Sequence, residues 1–220
     1  PLPGGGVFRD AEEFLYGQLS RLRKRITHET TSVRLVVTPE RMVIDEARRA
    51  YTELSLFEAG CDAVVLNRLL PEDAAQEEFF REWGRLQRDR RREVEELFAP
   101  LPVLAAPLAR DEVTGIARLA EHGAQIFEGV EPDALLSSAP RVRYAREGTS
   151  YLAMVPLPGA EAARLAVAKL DDELTITSGL RRRILKLPRR IAPLSLASAK
   201  LEGPSLVVRF TPAAEAGEAL

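Results

Sequence analysis

The stretch TSVRLVVTPERMVIDEARRAYTELSLFEAGCDAVVLN, Thr31 to Asn67, decides the fold. It opens with a β-branched apolar run ending at Val37, too short for a helix and typical of a strand buried on both faces of a parallel sheet. Thr38 and Pro39 suit the N-cap and first residue of a helix, whose apolar stripe ends before Gly60. The run DAVVL then predicts a second strand. Strand, helix and strand in about 35 residues is the length of a parallel crossover.

The segments on either side of this crossover extend the same pattern. Apolar residues at helical spacing predict one helix from Asp10 to about Ile26 and a long charged helix from about Ala74 to Phe98. Pro102–Leu108 predicts a third short strand, and Glu112–Glu128 a further helix. The predicted inward side of the long helix consists of Phe79, Trp83, Leu86, Val94 and Leu97. Three strands alternating with helices predict an α/β layer, part of a parallel sheet flanked by helices.

The composition changes after Gly129. Residues 130–140 have the composition of a linker, and short strand signals follow in place of helical periodicity. These signals lie in SYLAMVPLPG, RLAVAKL, ELTITSG, RRILKLP, LASAKL and SLVVRF. We therefore expect an α/β unit over 1–129, a small antiparallel β-sandwich over 141–212, and a disordered tail over 213–220.

Composition excludes several classes of function. With 31 basic and 33 acidic residues the formal net charge is −2, which does not favour a nucleic-acid partner. The single Cys61 allows no internal disulfide and fits a reducing, cytoplasmic setting. No apolar run approaches the roughly 20 residues that span a bilayer. His28 and His122 have no catalytic arrangement nearby in sequence and are interpreted as surface residues. Because the chain begins at Pro1 in the irregular segment PLPGGG, we expect natural sequence to precede it.

Candidate binding residues follow the three predicted strands. Parallel sheets bind ligands beyond the carboxyl ends of their strands, where Glu40, Asn67 and the segment Pro107–Asp111 stand. The amide of Asn67 can donate and accept hydrogen bonds, as recognition of an adenine edge requires. Pro107 and Leu108 could give an apolar face for a base. Each residue alone is an ordinary turn or helix-start residue, so the hypothesis depends on their joint placement.

The order of these motifs resembles the ArsA-type ATPases, which include arsenite-pump ATPases and targeting factors for tail-anchored membrane proteins. The segment Thr31–Pro71, the long charged helix and PLARDEVTGIARL carry the resemblance, from about Phe8 to Phe127. It implies that Asn67 contacts adenine and that Glu40 serves the nucleotide site. It also implies an adenine loop made of Pro107, Leu108, Ala109, Arg110 and Asp111. The implied cofactor is ATP with magnesium, the implied assembly a homodimer, and the implied client a membrane protein or another polypeptide.

Two family features are missing from this sequence. No G-x-x-x-x-G-K-[ST] phosphate loop occurs, so we expect the chain alone to be inactive and its partner to be an amino-terminal ATPase half outside it. The targeting factors' CxxC is also absent, so no zinc is expected. The segment after Gly129 resembles the α-crystallin domain of small heat-shock proteins. This leaves open an alternative, a non-enzymatic protein-interaction or chaperone-like module of the same fold.

Overall fold

A computed structural model describes residues 5–138 and 141–212, with side chains from Glu12 onward. The expected tail 213–220 and the last two residues of the expected linker lie outside these ranges. The elements of the first unit are α1 (Gly5–Ile26), β1 (Val33–Val37), α2 (Arg41–Leu56), β2 (Cys61–Leu69), α3 (Glu72–Gln76), a 3₁₀ turn (Glu78–Phe80), α4 (Arg81–Leu97), β3 (Val103–Pro107) and α5 (Ile116–Ile126). Seven strands follow, β4 (Arg143–Glu147), β5 (Ser150–Pro156), β6 (Leu165–Leu170), β7 (Glu173–Ser178), β8 (Arg181–Lys186), β9 (Ser195–Glu202) and β10 (Ser205–Thr211), with a 3₁₀ turn (Ala162–Arg164) before β6.

The first unit contains a three-stranded parallel sheet in the order β1-β2-β3, which confirms the predicted α/β class. Alternate strand residues on one face pack against α2 and α4. The core of this face contains Val37, Ile44, Tyr51, Cys61, Val64, Leu66, Val94 and Phe98. The prediction that β1 is covered on both faces is wrong, because Val36 on the opposite face is 61% exposed.

The predicted long helix over 74–98 is broken into α3, a 3₁₀ turn and α4. Glu77 adopts an extended conformation with φ −61° and ψ 143°, and α3 folds back so that Ala75 lies against Gly84. The expected inward position of Phe79, Trp83 and Leu86 is wrong, since all three are exposed and Phe79 is 81% exposed. Val94 is buried as predicted. Helical periodicity alone therefore assigned to the core two aromatic residues, Phe79 and Trp83, that are exposed.

The second unit is the predicted antiparallel β-sandwich. One sheet has the order β4-β5-β10-β9 and the other β6-β7-β8. In β10, Leu206, Val208 and Phe210 are buried, which is the predicted alternation. Strand β4 carries the sequence RYARE and was not among the predicted strands, because it lacks an apolar alternation.

The two units are joined through α2 and the segment after α5. Leu56, the last residue of α2, is fully buried in the apolar core of the sandwich together with Val155, Leu174 and Phe210. Thr52 donates a hydrogen bond to the carbonyl of Pro158 at 2.7 Å. The sandwich therefore completes part of its core with a side chain from the α/β unit.

Candidate functional site

The carboxyl end of β1 leads into a turn that positions Glu40. Glu40 is the N-cap residue of α2, and its carboxylate accepts a hydrogen bond from the hydroxyl of Thr38 at 3.2 Å. The helix begins at Arg41, so the expected cap at Thr38 with Pro39 as first helical residue is wrong. A carboxylate at this position is favoured by the positive end of the helix dipole.

The carboxyl end of β2 contains a β-bulge at Asn67 and Arg68. Leu66 pairs with Ala105 and Leu69 pairs with Pro107, so two residues of β2 lie opposite one residue of β3. Arg68 has φ 59°, and its N–H donates to the side-chain oxygen of Asn67 at 2.8 Å. The amide N–H groups of Asn67 make no hydrogen bond among the described residues, so they can donate to a ligand.

The segment after β3 starts directly beside this bulge. The N–H of Leu108 donates to the carbonyl of Leu69 at 2.7 Å, which holds the start of the segment against the end of β2. A cavity of about 530 Å³ opens here. It is lined by Pro71, Pro107, Leu108, Ala109, Arg110, Asp111, Val113, Arg118, Glu121, His122 and Gln125. A volume of this size is within the usual range for small-molecule sites.

The far wall of this cavity is a polar stripe of α5 that the sequence analysis missed. Arg118, His122 and Gln125 follow one another at intervals of four and three residues and share one helix face. The predicted helix start at Glu112 is wrong, because Gly115 adopts φ 81° and α5 begins after it. His122, interpreted from sequence as a surface residue, is half-buried and lines the cavity. The spacing of polar residues after Gly115 could have indicated that His122 belongs to this stripe.

Glu40 opens into a different cavity of about 220 Å³. This smaller cavity is lined by Thr38, Pro39, Glu40, Arg68, Leu70, Phe80, Trp83, Leu86 and Gln87. The structure therefore places Asn67 and Pro107 on paired strand ends, while Glu40 lies across the bulge from the Pro107–Asp111 cavity. Asn67 lies near Pro107 at the strand ends, as expected, but it lines neither cavity, and the other expected residues are divided between the two. Their roles toward a nucleotide stay predictions.

Charged groups near the larger cavity form exposed ion pairs. Arg110 lies 3.6 Å from Asp73, and Arg118 lies 3.8 Å from Asp111. Exposed pairs of this kind contribute little to stability and can rearrange around a ligand. Within residues 5–138 and 141–212, no group of three or more His, Cys, Asp or Glu side chains could hold a metal ion. The larger cavity thus combines an apolar side at Pro107 and Leu108 with charged and polar side chains around it.

A family model described as anion-transporting ATPase matches residues 7–128, more than half of the chain. The chain belongs to the anion-transporting ATPase family. A second family model, described as an HSP20-like domain found in ArsA, matches residues 148–210. The first match ends just after α5, and the second covers strands β5 to β9 and nearly all of β10.

Relatives within this family share about three residues in ten with the chain. A putative arsenical pump-driving ATPase of Aquifex aeolicus is 30% identical over 94% of this chain and 53% of its own length. One of Chlorobaculum tepidum is 29% identical over 89% of this chain and 48% of its own length. The chain spans about half the length of the curated relatives it matches. Among solved structures, a truncated small heat-shock protein AgsA of Salmonella typhimurium is 22% identical over 33% of this chain and 99% of its own, with a TM-score of 0.25.

Proposed function

We propose that this chain is the adenine-side portion of an ATP-binding ATPase, and that the phosphate loop belongs to polypeptide outside residues 1–220. The observation that carries this proposal is the bulge at Asn67 directly beside the Pro107–Asp111 cavity. Bulges next to ligand sites redirect a side chain out of the regular strand alternation. Here the bulge leaves the N–H groups of the Asn67 amide without a partner among the described residues.

Asn67, beside the larger cavity, and the residues that line this cavity have distinct tasks in this proposal. The amide of Asn67 donates to a ring nitrogen of adenine, while Pro107 and Leu108 cover one apolar face of the base. The polar stripe of α5 closes the opposite wall. Glu40 lines the smaller cavity, so we assign it to a position beyond the base. When bound, magnesium would neutralise phosphate charge in the complete protein, and no residue of this chain is assigned to it.

Uncovered apolar surfaces support the idea that further polypeptide completes the ATPase. Val36 is exposed on the second face of the sheet, and Ile116 and Leu119 are exposed on α5, where Ile116 is 88% exposed. A parallel sheet is normally covered by helices on both faces. Packing of an amino-terminal ATPase half on these residues would complete the sheet and bring a phosphate loop to the same edge.

The remaining parts of the proposal concern assembly and setting. We propose a homodimer in the cytoplasm that acts on a membrane protein or another polypeptide client. Exposed Phe79 and Trp83 next to the smaller cavity supply apolar surface for assembly at the nucleotide edge. None of the helices that the structure describes is long and apolar enough to cross a bilayer. Sedimentation velocity with and without ATP would test the dimer.

The nucleotide proposal is tested with the complete gene product. Binding of a fluorescent ATP analogue is titrated for the unchanged protein, for Asn67→Ala, and for the control Gln76→Ala on α3, outside both cavities. We expect Asn67→Ala to weaken binding by about tenfold, the worth of one or two hydrogen bonds. Unchanged affinity of Asn67→Ala would remove this residue from the site, and absence of any binding would reject the ATPase.

The alternative is a non-enzymatic interaction module of the same fold. The observation in its favour is that the sandwich packs on α2, with Leu56 buried in its core. ATP hydrolysis by the complete gene product distinguishes the two functions. Measurable turnover that depends on a Gly-Lys phosphate loop upstream supports the ATPase, whereas a complete gene without such a loop supports the module.

A further inference from the structure

A groove of about 560 Å³ lies between the two units, away from the carboxyl edge of the sheet. One wall is the carboxyl-terminal half of α1, the floor is the segment after α2, and the other wall is β8 of the sandwich. The groove is lined by Leu19, Leu22, Arg23, Ile26, Thr27, Phe57, Ala59, Arg182, Arg183 and Ile184. The nucleotide proposal uses none of these residues.

The apolar part of the groove is exposed on both walls. On α1, Leu19, Leu22 and Ile26 follow one another at intervals of three and four residues, and Leu19 is 64% exposed. Across the groove, Ile184 on β8 is 50% exposed. Leu15 continues the same stripe four residues before Leu19, so the α1 wall has the spacing of a coiled-coil seam. Apolar residues contiguous over two elements are characteristic of a protein-interaction surface.

The charged part of the groove is basic. The lining contains no Asp or Glu side chain. Arg183 is already engaged, because it donates to the carbonyl of Leu56 and pairs with Glu58 at 3.0 Å. Arg23 and Arg182 form no ion pair with any residue that the structure describes. A partner that fills the groove would therefore meet two uncompensated cations at its rim.

We propose that this groove binds one amphipathic helix of a separate protein, with apolar side chains facing the groove and acidic residues flanking them. The seven-residue step from Leu19 to Ile26 spans about 10 Å of helix, which accommodates two turns of a partner. Helices that lay an apolar face into a groove recur in protein recognition. Acidic flanks would meet Arg23 and Arg182.

Two other occupants fit the groove less well. A second copy of α1 would place Arg23, Lys24 and Arg25 against the same basic rim, and like charges across an interface are unfavourable. An anionic membrane would suit a flat amphipathic helix, whereas here a second wall from β8 makes the surface concave. Both remain distinct outcomes of the experiment.

The test uses the 220-residue chain and two labelled 18-residue peptides, followed by fluorescence anisotropy. Both peptides carry Leu at heptad a and d positions, and their flanking positions carry Glu in one and Lys in the other. We expect the Glu peptide to bind at least about tenfold more tightly at low salt, with the difference shrinking as salt is added. The double variant Arg23→Glu, Arg182→Glu should reverse this preference.

Apolar variants test the groove itself. Leu22→Ser and Ile184→Ser should each weaken the Glu peptide by about tenfold or more. The matched control Leu180→Ser, fully exposed on the turn before β8 and outside the groove, should leave binding unchanged. Circular dichroism of each variant checks that the fold is retained. Equal binding of the two peptides, or equal binding by Leu22→Ser and the unchanged chain, overturns the proposal.

Three further results would overturn the proposal in favour of another occupant. The first is binding of phosphatidylglycerol vesicles without binding of the Glu peptide. The second is concentration-dependent dimerisation of the chain that Leu22→Ser abolishes. The third uses Leu22→Cys in the complete gene product, labelled with maleimide and read by peptide mapping. Protection of that thiol would show that the groove is filled within the complete protein, whereas rapid labelling supports an open groove.

Discussion

The guanidinium of Arg183 in the sandwich donates a hydrogen bond to the backbone carbonyl of Leu56, the last residue of α2. Arg183 is only 6% exposed and also pairs with Glu58 at 3.0 Å. The carbonyls of a helix's last turn lack intrahelical partners, and a cation at this end is favoured by the helix dipole. Helix α2 thus starts directly after its N-cap Glu40, beside one candidate cavity, and ends within the sandwich core. The two units share this helix as a common structural element.

We predict that Arg183→Met loosens the sandwich from α2. The substitution removes the donor to Leu56 and leaves Glu58 without its cation, so the free energy of unfolding should fall by about 2 kcal/mol. Urea denaturation followed by circular dichroism measures this, and a second transition is expected if the units separate. Arg182→Met, on the same strand and exposed, is the control and should change stability by less than about 0.5 kcal/mol. A single unshifted transition for Arg183→Met would contradict the prediction.

A second prediction concerns the ion pair of Arg34 and Asp62 beneath the segment that follows α5. Asp62 is fully buried, lies 3.2 Å from Arg34, and accepts the N–H of Leu136. Arg34 also donates to the carbonyls of Pro132 and Ala134. Asp62→Ala would leave the guanidinium of Arg34 without its carboxylate, so we expect the free energy of unfolding to fall by about 3 kcal/mol.

Hydrogen exchange distinguishes this local effect from general destabilisation. In Asp62→Ala the amides of residues 130–138 should exchange faster than those of the sandwich strands. The control Glu46→Ala removes an exposed partner that lies 3.1 Å from Arg49 and should leave this segment unchanged. Uniform acceleration over the whole chain would show that the pair does not hold the segment specifically.

The sequence predicted the strands well because the buried pattern of each strand is local. In the sandwich, five of the six predicted strands coincide with observed strands to within about two residues. In the α/β unit, each parallel strand contains the β-branched or apolar run that predicted it. Long-range packing was not predictable in the same way. Leu56 continues the apolar stripe of α2 and yet belongs to the sandwich core. The periodicity of a helix does not indicate which unit covers its last turn.

The candidate site shows the same division between local and long-range information. Asn67 and Pro107 could be placed together because parallel strands end at one edge of a sheet. The bulge that turns Asn67 was not predictable, since it depends on the pairing of Leu66 and Leu69 with β3. For the same reason the sequence did not separate Glu40 from the Pro107–Asp111 cavity. Backbone pairing, rather than residue order, decides which loops share a cavity.

A third prediction follows from two buried groups in the core of the α/β unit, Tyr51 on α2 and Cys61 on β2. Burial raises the pKa of the Cys61 thiol from 9.0 to about 11, and burial together with Cys61 raises the pKa of Tyr51 from 10.0 to about 12. Both groups are neutral in the fold, and the unfolded chain loses their protons at lower pH. The stability they provide is therefore complete below pH 9 and is lost as pH rises toward 11 and 12.

Urea denaturation between pH 8 and pH 11 measures this dependence. For each group, every pH unit above its pKa in the unfolded chain should lower the free energy of unfolding by about 1.4 kcal/mol. Tyr51→Phe should flatten the curve above pH 10, and Cys61→Ala should flatten it from pH 9, relative to their own values at pH 8. Tyr16→Phe, at an exposed position on α1, is the control and should keep the original slope. A slope that Tyr51→Phe and Cys61→Ala leave unaltered would assign the alkaline loss to other groups.

The last prediction concerns the close contact of α3 with α4. A Cβ atom at Gly84 would lie 2.7 Å from the Cβ of Ala75 and 3.0 Å from its carbonyl oxygen, so α3 must move if Gly84 becomes Ala. Gln87, one turn later, holds both the N–H and the carbonyl of Leu70, three residues after Asn67. Gly84→Ala should therefore lower the free energy of unfolding by about 1–3 kcal/mol despite the better helix propensity of Ala.

The control is Gly17→Ala on α1. A Cβ atom at Gly17 would meet nothing within 4 Å, so this substitution should raise the free energy of unfolding by up to about 1 kcal/mol. Thermal unfolding compares the two, and Ala75→Gly should cost less stability in Gly84→Ala than in the unchanged chain, because it removes the 2.7 Å contact while the contact with the carbonyl oxygen of residue 75 stays. An equal cost of Ala75→Gly in both backgrounds would mean that α3 does not pack on Gly84.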